Sequence, residues 1–254
     1  MCTLALYFQV SKDFPLIVAA NRDEHYDRPT AAPMVQKTVP RVLAGRDIRA
    51  GGTWLGVNER GVLAAVLNRR SNASEDSDAP TRSRGLLCLD LLAHRSAAAA
   101  REFLAEHRER YQPFTLVFAD SNYAGFALNA TDHIKTVELS RGLHVFSNAV
   151  IHDEFSEKRQ RAYVLFAGVK PEQQMLGGPA SAWVGGFKEV LSDHTLGNGA
   201  GDPRDAICVH GDVSGTVSST IIVFSGLARR FRTLYCAGTP CRNDFGEMPI
   251  LNVT

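Results

Sequence analysis

The sequence predicts an α+β protein built on antiparallel sheets. Its β-rich runs follow one another across short turn signals, and its helical stretches come in groups instead of alternating singly with strands. A third observation is size: 254 residues suffice for one large core, and no internal repeat or linker divides them, so residues 1–254 read as a single domain.

Element by element, 3–10 and 16–20 are β-rich runs joined by Ser11-Lys12-Asp13-Phe14-Pro15, a hairpin signal. Asn21-Arg22-Asp23-Glu24 stands at the end of the second run. The runs 53–58 and 62–68 pair across Glu59-Arg60-Gly61, and Gly51-Gly52 before them marks a bend that side chains would obstruct. The stretch 69–84 is polar, rich in Ser, Asp and Arg, and of a length usual for active-site lids. Two helices are expected over 86–94 and 96–111, the second capped by Ser96. Strands at 114–119, 123–128, 134–139 and 144–147 follow as a meander with polar turns. Helices at 156–166 and 180–193, a Gly-rich loop through 197–201, and strands at 217–224 and 232–236 complete the chain.

Composition narrows the function. Lys and Arg number 28 against 27 Asp and Glu, a net charge of +1, with the cations scattered. Neither nucleic acid nor an anionic membrane is then an expected partner, and a small-molecule substrate or ligand is. The five cysteines form no dense framework, and the first ten residues carry no basic stretch before Lys12-Asp13. No run approaches the ~18 apolar residues of a spanning helix. The expectation is a cytoplasmic protein with free thiols, its oligomeric state left open.

The sharpest chemical feature is Cys2. If Met1 is removed, Cys2 carries a thiol and the free α-amine of the chain, so nucleophile and general base share one residue. An amine of pKa ~7.7 to 8.0 can take a proton from a thiol near ~8.5 at little cost. Arg22 and Asp23 could tune either group, or could be an ion pair that fastens the strand end. Glu24 reads as a surface or helix-capping carboxylate. Cys208-Val209-His210 with Cys236 and Cys241 makes poor tetrahedral spacing, so no metal is expected; His194 and the remaining histidines carry no ligand spacing. The loop 197–201 lacks the Lys-Ser/Thr ending of a phosphate-binding loop.

Six segments, in order, resemble one family: Met1-Cys2, Ala20-Asn21-Arg22-Asp23-Glu24, Gly51-Gly52-Thr53-Trp54-Leu55-Gly56-Val57, Ser83-Arg84-Gly85, Phe146-Ser147-Asn148 and Gly215-Thr216-Val217-Ser218-Ser219-Thr220. They are similar to the NRDE family, also called the transport and Golgi organisation 2 family. The resemblance implies the fold of the N-terminal nucleophile hydrolases: a four-layer αββα sandwich, helices covering both faces of two stacked antiparallel sheets. The run from Asn58 to Asn68 also resembles the choloylglycine hydrolase and penicillin V acylase group. That similarity implies Cys2 as nucleophile, Arg22 steadying the thiolate, Asp23 holding the α-amine, Asn148 as oxyanion donor and Asn68 as a second such donor. Asn21, Trp54, Arg69 and Arg70 are the implied substrate contacts. The family pattern commonly has Arg where Val217 stands, and Arg69 and Arg70 are positioned in sequence to replace that charge. Relatives are linked to haem handling and lipid metabolism in animals. Two readings follow: a Cys-dependent hydrolase of a non-peptide amide or thioester, requiring no cofactor, or a non-catalytic carrier of haem or an acyl metabolite using the same pocket.

Overall fold

The computed structural model describes residues 2–69, 81–107, 109–129, 133–148, 156–171, 180–196 and 202–254. Among these residues, two antiparallel sheets, each of seven strands, lie face to face. The first has β1 (Cys2–Phe8), β2 (Leu16–His25), β10 (Gly142–Ser147), β11 (Ser214–Ser225), β12 (Arg230–Ala237), β13 (Gly246–Glu247) and β14 (Leu251–Asn252), in the order β10-β1-β2-β11-β12-β13, with β14 also paired to β12. The second runs in chain order: β3 (Thr30–Gln36), β4 (Val42–Asp47), β5 (Leu55–Asn58), β6 (Leu63–Asn68), β7 (Phe114–Ala119), β8 (Ala124–Asn129) and β9 (Ile134–Glu138).

Period-two alternation builds the layers. In β1 and β2, Leu4, Leu6, Phe8, Leu16 and Val18 enter the core between the sheets, where they meet Leu55, Val57, Leu63, Ala65 and Leu67. The intervening Ala5, Tyr7, Ile17 and Ala19 turn the other way and pack on α3 (Glu157–Val169) and α4 (Ala180–Leu191) through Phe166, Phe187 and Leu191. On the far side, Ala64, Val66, Leu116 and Phe118 carry α1 (Arg84–Leu92) and α2 (Ala97–Glu106). The layer order is therefore helices, sheet, sheet, helices, the αββα sandwich that the resemblance implies.

Several expectations shift. β2 continues to His25, so the Asn-Arg-Asp-Glu motif lies within the strand and not beyond its end, with Asn21 and Arg22 paired to both β1 and β11 and Asp23 and Glu24 to β11. β3 and β4 lie in a stretch for which the sequence pattern offers no strand. The second helix stops at Glu106 because His107 takes an extended backbone; its Ser96 cap does accept from the Ala99 amide at 3.1 Å. Arg84 opens α1 and does not close a loop. Residues 70–80 of the expected lid and the loop 197–201 lie outside the described residues.

Two glycine positions need their glycines. Gly51 has φ +75°, and a Cβ on Gly52 would lie 2.3 Å from the Gly85 carbonyl carbon. The bend before Trp54 thus rests directly on the first turn of α1, where the Thr53 amide donates to Gly85 O at 3.0 Å. Two of the sequence motifs, far apart in the chain, are one structural unit. No helix among the described residues is long and apolar enough to cross a membrane.

Candidate functional site

The site is assembled by strand register. β1 pairs β2 with Cys2 opposite Arg22 and Thr3 opposite Asn21. On its other side β1 pairs β10 with Thr3 opposite Ser147. β10 ends at Ser147, and the residue that follows it, Asn148, is buried. The first residue of β1 therefore faces Arg22 on β2, and Asn148 directly follows the strand that pairs with β1 on the other side.

Alternation along β2 separates the motif into two functions. Arg22 shares the parity of Leu16 and Val18, enters the space between the sheets, and stacks its guanidinium 4.4 Å from the Trp54 ring centroid. A second contact joins it to Glu24 Oε2 at 3.5 Å. Asn21 and Asp23 have the opposite parity and engage the helical side. Asn21 Nδ2 donates to Leu191 O at 2.8 Å and Ile207 O at 2.9 Å, while its Oδ1 accepts from Ser219 Oγ at 2.6 Å. With both amide hydrogens committed, Asn21 fastens α4 and the 207 segment to the sheet, and the expectation that it contacts substrate is corrected accordingly.

Asp23 is buried. Its Oδ1 accepts from Thr216 Oγ1 at 2.6 Å, and Lys158 Nζ lies 3.6 Å from Oδ2, an ion-pair distance longer than a direct hydrogen bond. Lys158, itself buried, reaches in from the first turn of α3. The charge partner seen for Asp23 is thus Lys158, where the sequence suggested Arg22. Lys158 is the residue that sequence reasoning misses. The signal is present: Lys158, Ala162, Phe166 and Val169 form the buried stripe of α3, and a lysine on such a stripe needs a partner.

A cavity of about 260 Å³ opens between the sheets. Arg22 and Asn68 line it from β2 and β6, Trp54 from the bend before β5, and Arg28, Asp47 and Arg84 also line it. Arg28 donates to Asp47 Oδ2 through Nε at 3.0 Å and through Nη2 at 2.6 Å, and its Nε stands 3.8 Å from Glu24. Burial pushes the Asp47 carboxyl up, but the Arg28 hydrogen bond and the Ala50 and Arg49 amides outweigh it and hold the pKa below the ordinary value. Glu24, expected at the surface, is a shielded member of this ion network. The Arg84 guanidinium also reaches the Pro113 carbonyl at 3.0 Å. Arg69 lies elsewhere: its guanidinium donates to Phe114 O and Asn129 O, both at 3.1 Å, so it ties the ends of β7 and β8 and is not among the residues lining the cavity. Arg70 is outside the described residues. Val217 occupies the register shift between Thr216 and Ser218. Among the described residues the cations that meet the cavity are Arg22, Arg28, Arg82 and Arg84, and Arg69, which the sequence offers in place of an Arg at 217, is not one of them.

Two stacked antiparallel sheets between helical layers, with the first strand paired on both sides inside one sheet, define the N-terminal nucleophile hydrolase-like fold. Solved structures agree. An N-acylethanolamine-hydrolyzing acid amidase ortholog from Caenorhabditis elegans matches with a TM-score of 0.57 at 15% identity, covering 88% of this chain and 92% of that one. A single-residue variant of a conjugated bile acid hydrolase from Clostridium perfringens matches with a TM-score of 0.51 at 13% identity, covering 100% of this chain and 98% of that one. At such identities the likeness is one of fold. Family membership comes from sequence: residues 1–229 match the Transport and Golgi organisation 2 family, to which this chain belongs. The human Transport and Golgi organization protein 2 homolog is 27% identical over 258 residues, covering 88% of each chain. The mouse homolog is 33% identical over 128 residues, and that match spans 47% of this chain and 45% of the mouse protein; a bovine match spans 27% of its relative.

Proposed function

We propose that this protein is a Cys2-dependent hydrolase of a non-peptide amide or thioester. The observation that carries the reading is the register at the start of β1, with Arg22 opposite Cys2 on β2 and the buried Asn148 directly following Ser147, the partner of Thr3 on β10. Removal of Met1 frees the Cys2 amine, which takes the thiol proton as the sulfur attacks the carbonyl carbon. The oxyanion is met by the Asn148 side-chain amide, with Asn68 across the cavity as second donor. Collapse breaks the carbon–nitrogen or carbon–sulfur bond, and the amine's proton passes to the leaving group. Water then attacks the acyl-Cys2 thioester with the same amine as base, releasing the acid. Arg22, held over Trp54, favours the thiolate, and Asp23, fixed by Thr216 and Lys158, holds the amine in orientation.

The size and charge of the cavity support a small substrate with an anionic or polar group near Arg22 and Arg84. A panel of N-acyl amides and acyl thioesters tests the reading: one member should turn over, and Cys2→Ala should abolish turnover while leaving the melting temperature unchanged. Stoichiometric, reversible binding of haem or an acyl thioester by a chain that retains Met1, with binding unchanged in Cys2→Ala, would replace hydrolysis by carriage.

A further inference from the structure

Beyond this cavity, the fold assembles four side chains that spacing in the sequence leaves scattered. His194 follows α4, Cys208 and His210 precede β11, and Cys241 sits in the turn after β12. One ligand atom from each lies within 4.8 Å of all the others. Cys208 Sγ is 3.9 Å from Cys241 Sγ and 3.8 Å from His210 Nε2, and Cys241 Sγ is 3.4 Å from His210 Nε2. A tetrahedron with Zn–S of about 2.3 Å and Zn–N of about 2.0 Å has edges of roughly 3.8 Å between sulfurs and roughly 3.5 Å between sulfur and nitrogen. The observed spacings are those edges within a few tenths of an ångström. The His194 and His210 rings stand 4.9 Å apart at 41°, inclined and not stacked flat.

We propose that His194, Cys208, His210 and Cys241 form a structural zinc site. Two thiols and two imidazoles in tetrahedral array are the donor set that selects Zn²⁺. Binding releases the two thiol protons to solvent, and the two thiolates neutralise the ion, which suits a site with Arg242 at its edge. The outer contacts are those of anchored ligands. His194 Nδ1 lies 3.2 Å from Cys208 O; donating there leaves the lone pair on Nε2 for the metal. Cys241 is presented by a hydrogen-bonded turn in which the Arg242 and Asn243 amides both donate to Thr239 O. Cys236, which sequence spacing pairs with Cys241, is instead directed to Gly238 O at 3.8 Å and takes no part.

With four protein ligands, the ion is structural and its effect is local order. Between Cys208 and His210, the Val209 amide donates to Thr216 Oγ1 at 2.9 Å, and the same hydroxyl donates to Asp23. The zinc would therefore clamp three chain segments around the hydroxyl that holds Asp23.

The test uses the full chain, purified without a metal-affinity tag and under reducing conditions. Elemental analysis after desalting should find about one zinc per chain, as four ligands closing one site require. Cys208→Ser with Cys241→Ser should lose it, and Cys236→Ser should keep it. Wild-type protein exchanged with Co²⁺ provides a readout independent of variant folding: it should give the intense visible bands of tetrahedral cobalt with thiolate charge-transfer absorption. Chelation should lower the melting temperature and speed amide exchange at Val209 and Thr216. A chain that retains no zinc after exposure to a slight excess, a different metal held at stoichiometry, a weak octahedral cobalt spectrum, or a Cys208–Cys241 disulfide in the freshly purified protein would each overturn the assignment.

Discussion

The guanidinium of Arg22 lies 4.4 Å from the ring centroid of Trp54, and this contact joins the two sheets at the mouth of the cavity. Trp54 fixes the height of Arg22, and the Gly51-Gly52 bend, pressed on Gly85, fixes Trp54. Space under the ring is closed as well, since a Cβ on Gly45 would come within 2.5 Å of it. Trp54→Ala should therefore destabilise the fold by ~3 to 5 kcal/mol, as large aromatic truncations do. Gly45→Ala should cost roughly 1 to 3 kcal/mol by overpacking. Urea unfolding of both variants checks this, and a Gly45→Ala protein as stable as wild type would show that the ring moves freely.

The Asp23–Lys158 pair gives the second prediction. Both groups are buried 3.6 Å apart, so removing Lys158 takes a cation from beside a buried carboxylate. Lys158→Met should cost ~3 to 5 kcal/mol, and Asp23→Asn combined with Lys158→Met should recover much of that loss. A double-mutant cycle in denaturant measures the coupling; additive losses would mean that the pair is not an electrostatic unit.

These two relationships also mark what the sequence can reveal. The hairpin of β1 and β2 is legible because it lies in a short local pattern, and Arg22 beside Cys2 and Trp54 at the cavity follow from the motifs that carry the family resemblance. β3 is not, since Pro33 interrupts the run, the register shifts between Ala31 and Met34, and the strand is an edge with a largely exposed face. Lys158 and Thr216 reach Asp23 from far along the chain, and no local spacing announces them. The His194, Cys208, His210 and Cys241 group is likewise invisible until α4, the segment before β11 and the turn after β12 converge.

Acid should act on the rim of the cavity. Asp47 has its folded pKa depressed, so its contribution is present above the unfolded value of about 3.9 and is lost as pH falls through the lower folded pKa. Asp47→Asn should cost roughly 1.5 to 3 kcal/mol at pH 7, the value of hydrogen bonds to a charged group, and should flatten the acid limb of the stability curve. Denaturant midpoints from pH 7 down to 3 provide the comparison. An unchanged limb in the variant would assign acid lability to other carboxylates.

Thiol reactivity should single out Cys2. Burial pushes the Cys88 thiol far up and the Cys236 thiol to about 11, so neither offers much thiolate near neutral pH. Limiting iodoacetamide followed by peptide mapping should label Cys2 first. Faster labelling of Cys88 or Cys236 would contradict the placement of the nucleophile beside Arg22.

The central claim is covalent chemistry at Cys2, and intact-protein mass spectrometry during turnover of an acyl thioester addresses it directly. The account predicts a chain lacking Met1 that gains the mass of one acyl group, mapped to Cys2, and loses it again as substrate is consumed. A chain that retains Met1, binds the same thioester reversibly and never carries the acyl mass would contradict it.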